Sequence, residues 1–134
     1  MKVMFYKHEK TIIVDNRQGM TNAEFRTRYI IKNPEKDLDY YIKKLEGVPE
    51  ENWITGQLWT PEGKGCVQGW LGARGLDEDS MTITYEMPEE LLSFLALVEG
   101  KNIPGINNGY KNCGYTQPTP KQRILAYLRD LQGK

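Results

Sequence analysis

Between Trp53 and Trp70 the chain places Gly56, Gly63, Gly65 and Gly69, every tryptophan it has, and Cys66. Glycine loses the most backbone entropy on ordering. A run dense in it therefore marks tight turns, or places where a second stretch of backbone passes close by. Gly69 and Gly72, three apart, would lie near each other on a helical face and admit such a neighbour. The tryptophans supply apolar bulk to pack there. These features ask for a bent, closely packed centre flanked by regular elements, and they identify no reaction.

At 134 residues the chain has the length of one domain. A chain of this size buries about two thirds of the surface its unfolded form exposes, so a core needs neither disulfide nor metal. Lysine plus arginine and aspartate plus glutamate number 18 each. That balance removes the excess of basic charge that nucleic-acid binding draws on. The first 32 residues are locally basic, and Pro34 to Glu51 is more acidic, an asymmetry read as solvated surface. The longest apolar run, Leu91 to Val98, falls far short of the roughly 20 residues of a membrane span. The first eight residues lack the apolar stretch of a secretion signal. With only Cys66 and Cys113 as cysteines, the expectation is a cytoplasmic protein with free thiols.

The first fifteen residues read as a β-hairpin. Val3 and Phe5 alternate with Met4 and Tyr6, Thr11 to Val14 is β-branched throughout, and His8 lies in the connection. Asp15 to Gly19 ends the second strand with turn formers. Thr21 and Glu24 have capping-box spacing for a short helix over 22–31, with a strand over 25–31 as the competing reading. Asn33-Pro34 signals another helix start. Leu38, Tyr41, Ile42 and Leu45 form one apolar face there, and Gly47 stops it. Asp39 and Lys43 stand at i,i+4 and should pair. A short strand is expected over 54–60, a turn over 61–65, a short helix over 66–73, and a strand or extended linker over 81–85. Pro88-Glu89-Glu90 opens a helix to about Glu99. Residues 102–118 read as a long loop rich in Gly, Asn and Pro. Thr119-Pro120 opens the last helix, with Ile124, Leu125, Leu128 and Leu131 on its apolar face.

From about Asp37 to Leu131 the order of features resembles an uncharacterised bacterial and phage domain family of unknown function. The likeness is carried by Trp53 with Gly56, by Gly65, Cys66 and Gly69, by Ile103 or Ile106 with Asn107-Asn108, and by the helix from Pro120. Asn108 stands where the family pattern has aspartate, and the first 35 residues have no counterpart in it. The resemblance implies a fold grouping and a phage or bacterial origin. It assigns no catalytic role.

Among chemistry-bearing residues Cys66 is the candidate nucleophile. A helix starting at or just after it would favour the thiolate through unpaired amides and the helix dipole. Its base would have to be His8, the sole histidine. The plainer reading makes Cys66 a small buried residue packed against the tryptophans. A metal site is not expected, because Cys66, Cys113 and His8 lack the paired spacing of zinc ligands. No cofactor is expected either. Gly63-Lys64-Gly65 hints at an anion-binding loop without the full phosphate-loop pattern. Trp53 and Trp70 are expected in the core. Trp59, Lys64, Asn107, Asn108, Tyr110 and Tyr115 are the candidate ligand- or partner-binding residues.

The expected architecture is therefore a single α+β domain: an N-terminal β-hairpin, four to five helices, and one or two short strands near the glycine-rich centre. The expected function is binding of a protein partner without catalysis. The alternatives are a Cys66-dependent hydrolase or transferase and a nucleotide or small-molecule binding module. All three place the site where the bend around Cys66 meets the segment after residue 102.

Overall fold

The structure, a computed structural model, describes residues 2–6, 11–14, 19–21, 35–98 and 103–133. Among these the chain is α+β. Strands β1 (Lys2–Tyr6), β2 (Thr11–Val14) and β3 (Gly19–Thr21) are followed by helices α1 (Leu38–Glu46) and α2 (Val67–Trp70). Then come strands β4 (Arg74–Glu78) and β5 (Thr82–Glu86), and helices α3 (Glu89–Leu97), α4 (Ile103–Asn108) and α5 (Pro120–Gln132). The five strands form one antiparallel sheet in the order β3-β2-β1-β5-β4. The N-terminal hairpin is present as read, with Val3 opposite Val14 and Phe5 opposite Ile12. Gly19 begins a third strand rather than closing the second. The reading of residues 22–31 lies outside the described residues, while the helix expected from Asn33-Pro34 begins only at Leu38, after a turn and bend at residues 35 and 36, because Asp37 supplies the cap.

Helix α1 takes its cap from Asp37, whose carboxylate accepts from the Tyr40 amide at 2.9 Å. Its buried face is the one the periodicity marked, with Tyr41, Ile42 and Leu45 turned inward. Asp39 and Lys43 pair at 2.9 Å, largely in water. α1 packs on α5, and α4 packs on α5 from another side. Thr119 caps α5 by accepting from the Gln122 amide, with Pro120 in its first turn. Lys121 donates to the Glu46 carbonyl at the end of α1, where the helix dipole favours a cation. The core between the helices holds Tyr41, Leu45, Leu91, Phe94, Ile106 and Leu128. Buried phenols keep partners: Tyr41 donates to the Glu90 carbonyl at 2.6 Å and Tyr127 to the Val98 carbonyl at 3.2 Å.

Three elements differ from their sequence reading. Residues 54–60 are not a strand. Only isolated bridges form, Trp53 with Gly65 and Trp59 with Gly65, and the chain bends between them. Residues 74–78, which carry few good strand formers, pair with β5 across a bulge between Gly75 and Asp77. Residues 103–108, read as loop, are helical, because Pro104 sits in a first turn where it costs little and Ile103 and Ile106 are both buried.

The glycine-rich centre is closed by contact rather than by regular structure. A Cβ built on Gly69 would lie 1.9 Å from the Leu58 carbonyl oxygen, and one on Gly65 would lie 2.7 Å from the same atom. Leu58 thus crosses directly over α2, and the Cys66 amide donates to its carbonyl at 3.3 Å. Trp59 and Trp70 meet edge to face, with centroids 4.9 Å apart. Trp53 is buried and donates to the Val48 carbonyl, while Trp70, half-buried, donates to the Asn52 carbonyl. Gly69→Ala should therefore destabilise the protein by about 3 kcal/mol, since the added methyl meets backbone that cannot rotate away. Urea denaturation checks this. Gly75→Ala, whose Cβ meets nothing within 4 Å, should change the midpoint little.

Candidate functional site

The bend around Cys66 and the segment after residue 102 do come together, and a single side chain joins them. Asn107 is fully buried on α4. Its Oδ1 accepts from the Val67 amide at 3.1 Å, capping the first residue of α2 from a distant element. Its Nδ2 donates to the Ile54 carbonyl at 3.0 Å and to Asn108 Oδ1 at 3.2 Å. A backbone N–H on one side and a backbone carbonyl on the other leave only one orientation of the amide. Asn108 extends the clamp by accepting from the Gly56 amide at 3.0 Å.

Asn107 is itself held from behind by Arg123. This guanidinium is buried, and it donates to the carbonyls of Ile106 (3.2 Å), Asn107 (2.8 Å) and Gln117 (2.7 Å). It satisfies carbonyls at the end of α4, where the helix dipole places negative charge. Burial pulls the Arg123 pKa below its usual value. An arginine titrates so far above neutrality that the charge remains at pH 7.

Against this clamp lies a recess of about 330 Å³, lined by Leu58, Cys66, Gln68, Tyr85, Pro104 and Tyr110 among others. Gly56, Gln57 and Asn108 complete its wall, so the lining carries no side chain that is charged at neutral pH. Tyr110 stands 54% exposed on the rim and Pro104 is exposed beside it. Burial raises the Tyr85 phenol above its usual range, which keeps it neutral. The recess offers aromatic and apolar surface with amide and hydroxyl groups among it.

Cys66 lines this recess with its side chain mostly covered. Burial pushes the thiol up. The amides of Gln68 and Gly69 face the sulfur and draw it the other way, but they do not prevail. The helix-start effect invoked for a thiolate thus exists, and desolvation outweighs it. His8, the proposed base, lies outside the described residues. Among the described residues, no group of three or more His, Cys, Asp or Glu side chains could hold a metal ion.

The remaining candidates are dispersed. Lys64 is exposed on the turn after Pro61 and does not line the recess. The amides of Gly63, Lys64 and Gly65 already donate to Thr60 O, Thr60 Oγ1 and Asn52 O, which leaves that turn none of the N–H groups that would hold a phosphate. Tyr115 packs edge to face on Tyr127 and donates to Asp130 at 2.8 Å, away from the recess. Trp59 is half-buried on the far side of Leu58. Asn107 shapes the recess from behind without reaching it. Of the six binding candidates, Asn108 and Tyr110 line this recess, joined by Leu58, Gln68, Tyr85 and Pro104, which sequence patterns did not single out. Comparison with protein-family models, curated proteins and solved structures finds no match for this chain.

Asn107→Ala should cost about 2 kcal/mol, because it leaves the buried Val67 amide and the half-buried Ile54 carbonyl without this partner. In hydrogen exchange the Val67 and Gly56 amides should lose protection first. Iodoacetamide should label Cys113 before Cys66, because Cys113 is the more exposed. Labelling of Cys66 should stay slow until the pH passes the ordinary thiol range, because a raised pKa keeps the sulfur protonated to higher pH. Mass spectrometry of timed digests follows both.

Proposed function

We propose that this protein is a small non-catalytic binding module that engages a protein partner through the surface around Cys66 and Tyr110. The observation that carries this reading is the uncharged recess with its exposed aromatic rim. Tyrosine, proline and leucine beside amide side chains match the chemistry of a polypeptide, whose main chain is neutral and rich in donors and acceptors. Exposed tyrosines beside such pockets commonly anchor protein interfaces. The rim is built on loops pinned by the Asn107 clamp, so it is presented in one shape, which lowers the ordering cost of association.

Catalysis by Cys66 is less well supported, since the thiol is shifted toward the unreactive form. Two unpaired cysteines, Cys66 and Cys113, fit a reducing compartment, so we place the protein in the cytoplasm. We propose a phage or bacterial origin on the resemblance of its motifs alone.

Selection from a random peptide library displayed against the immobilised protein tests this reading. Peptides that bind should shift the amide resonances of Gln68, Asn108 and Tyr110 in an NMR titration. Tyr110→Ala should weaken them about tenfold, as loss of an aromatic anchor does. Peptides that bind while leaving those resonances still would refute the assignment of this surface, as would failure to select any.

A further inference from the structure

A second recess, of about 580 Å³, lies on the other side of Gln57 and Leu58 and is lined by Trp59, Thr60, Pro61, Arg74 and Gly75. It differs from the first in carrying a cation. Arg74 is held in one pose, its guanidinium carbon 3.9 Å from the Trp59 ring centroid. Its Nη1 donates to the carbonyls of Gly69 at 2.9 Å and Ala73 at 2.7 Å. Those bonds occupy one of three guanidinium nitrogens. Among the described residues no carboxylate forms an ion pair with Arg74, although Glu86 stands opposite it in the β4–β5 ladder. The indole N–H groups of Trp53 and Trp70 are taken by backbone carbonyls, whereas among the described residues no hydrogen bond is formed by that of Trp59. The space above Gly75 is open, with nothing within 4 Å of where a Cβ would sit.

We propose that this second recess is a carboxylate-binding subsite, in which the free donors of Arg74, with the indole N–H of Trp59, receive an acidic side chain of the bound polypeptide. A guanidinium presents parallel N–H groups that match the two oxygens of a carboxylate. Stacking on Trp59 and the two carbonyl bonds fix the fork before a ligand arrives, so little further ordering is needed. A single fixed arginine suits one carboxylate. Nucleic acid would call for several cations along a track, while the turn beside this recess carries Glu62 as well as Lys64, and β4 continues into Asp77 and Glu78. The inference rests on the proposed binding function only for what bears the carboxylate.

The test uses the full ¹⁵N-labelled chain and two small probes, N-acetyl-glutamate N-methylamide and its glutamine counterpart. The glutamate probe should shift the Trp59 indole and the Arg74 and Gly75 amides saturably, with a dissociation constant of about millimolar order. The glutamine probe should not. Arg74→Lys keeps the charge and loses the fork, and should weaken the glutamate probe several-fold. Gly75→Val adds bulk to the lining of the recess without removing a bond and should weaken its binding several-fold. The Trp53 and Trp70 indole resonances report that each variant is folded. Equal response to both probes, or glutamate binding left unchanged by both substitutions, would overturn the subsite. So would tighter binding of inorganic phosphate or an oligothymidylate. Library peptides that need Tyr110 but are indifferent to Arg74→Lys would overturn the acidic-side-chain assignment and leave the binding surface standing. If no peptide is selected while the glutamate probe binds as described, the subsite holds and the protein-binding reading falls.

Discussion

The amide of Asn107 ties together stretches of chain that share no ladder or helix. Val67 lies at the start of α2 and Ile54 on the loop before it, and each offers one backbone group to the side chain of Asn107 on α4. Without it, the loop over 54–60 would lose its tie through Asn107 to the buried start of α2 and rest on the contacts at Leu58, the Gly56–Asn108 bond, two isolated bridges and the packing of Trp59. Arg123 closes the chain of dependence from the other side by gripping the carbonyls of Ile106 and Asn107. The order from core to surface is then α5, Arg123, α4, Asn107, and finally the loop that walls both recesses.

This arrangement explains why neutral and cationic recesses adjoin. Leu58 is pressed onto Gly65 and Gly69, and it forms a ridge between them together with Gln57. One flank faces α4 and β5, whose contributions are Pro104, Asn108 and Tyr85. The other faces the start of β4, which contributes Arg74. Ala73 and Met87, both buried, root the two strands in the core, so Arg74 and Tyr85 are fixed relative to the ridge. The apolar recess and the one that carries Arg74 are therefore held at a fixed spacing.

Much of this was legible where a local rule applies. The apolar face of Leu38, Tyr41, Ile42 and Leu45 marked α1, Thr119-Pro120 marked the start of α5, and β-branching marked β2. The glycine cluster announced close backbone approach, and Gly65 and Gly69 show it. The nearness of the Cys66 bend to the segment after residue 102 was also anticipated. What escaped was decided at a distance. Nothing in the stretch around Arg123 says that its charge will end α4 rather than meet solvent, and so residues 103–108 read as loop. Asn107 and Asn108 look alike in sequence, yet one is fully buried and the other lines a recess. Cys66 had the right neighbours for activation, and only its burial reverses the expectation. Arg74 gained significance from Trp59, fifteen positions earlier, which no periodicity connects to it.

The bulge between Gly75 and Asp77 carries a consequence for how copies of this chain behave in a crowded solution. β4 ends the order of described strands, and a regular strand there would offer its outer row of amides and carbonyls to any neighbouring chain. The irregular step breaks that row, and Asp77 and Glu78 follow it with like charges. A second molecule approaching in the same way would meet mismatched spacing and electrostatic repulsion. Edge-on stacking into filaments is thereby opposed on this side of the sheet by the strand's own irregularity.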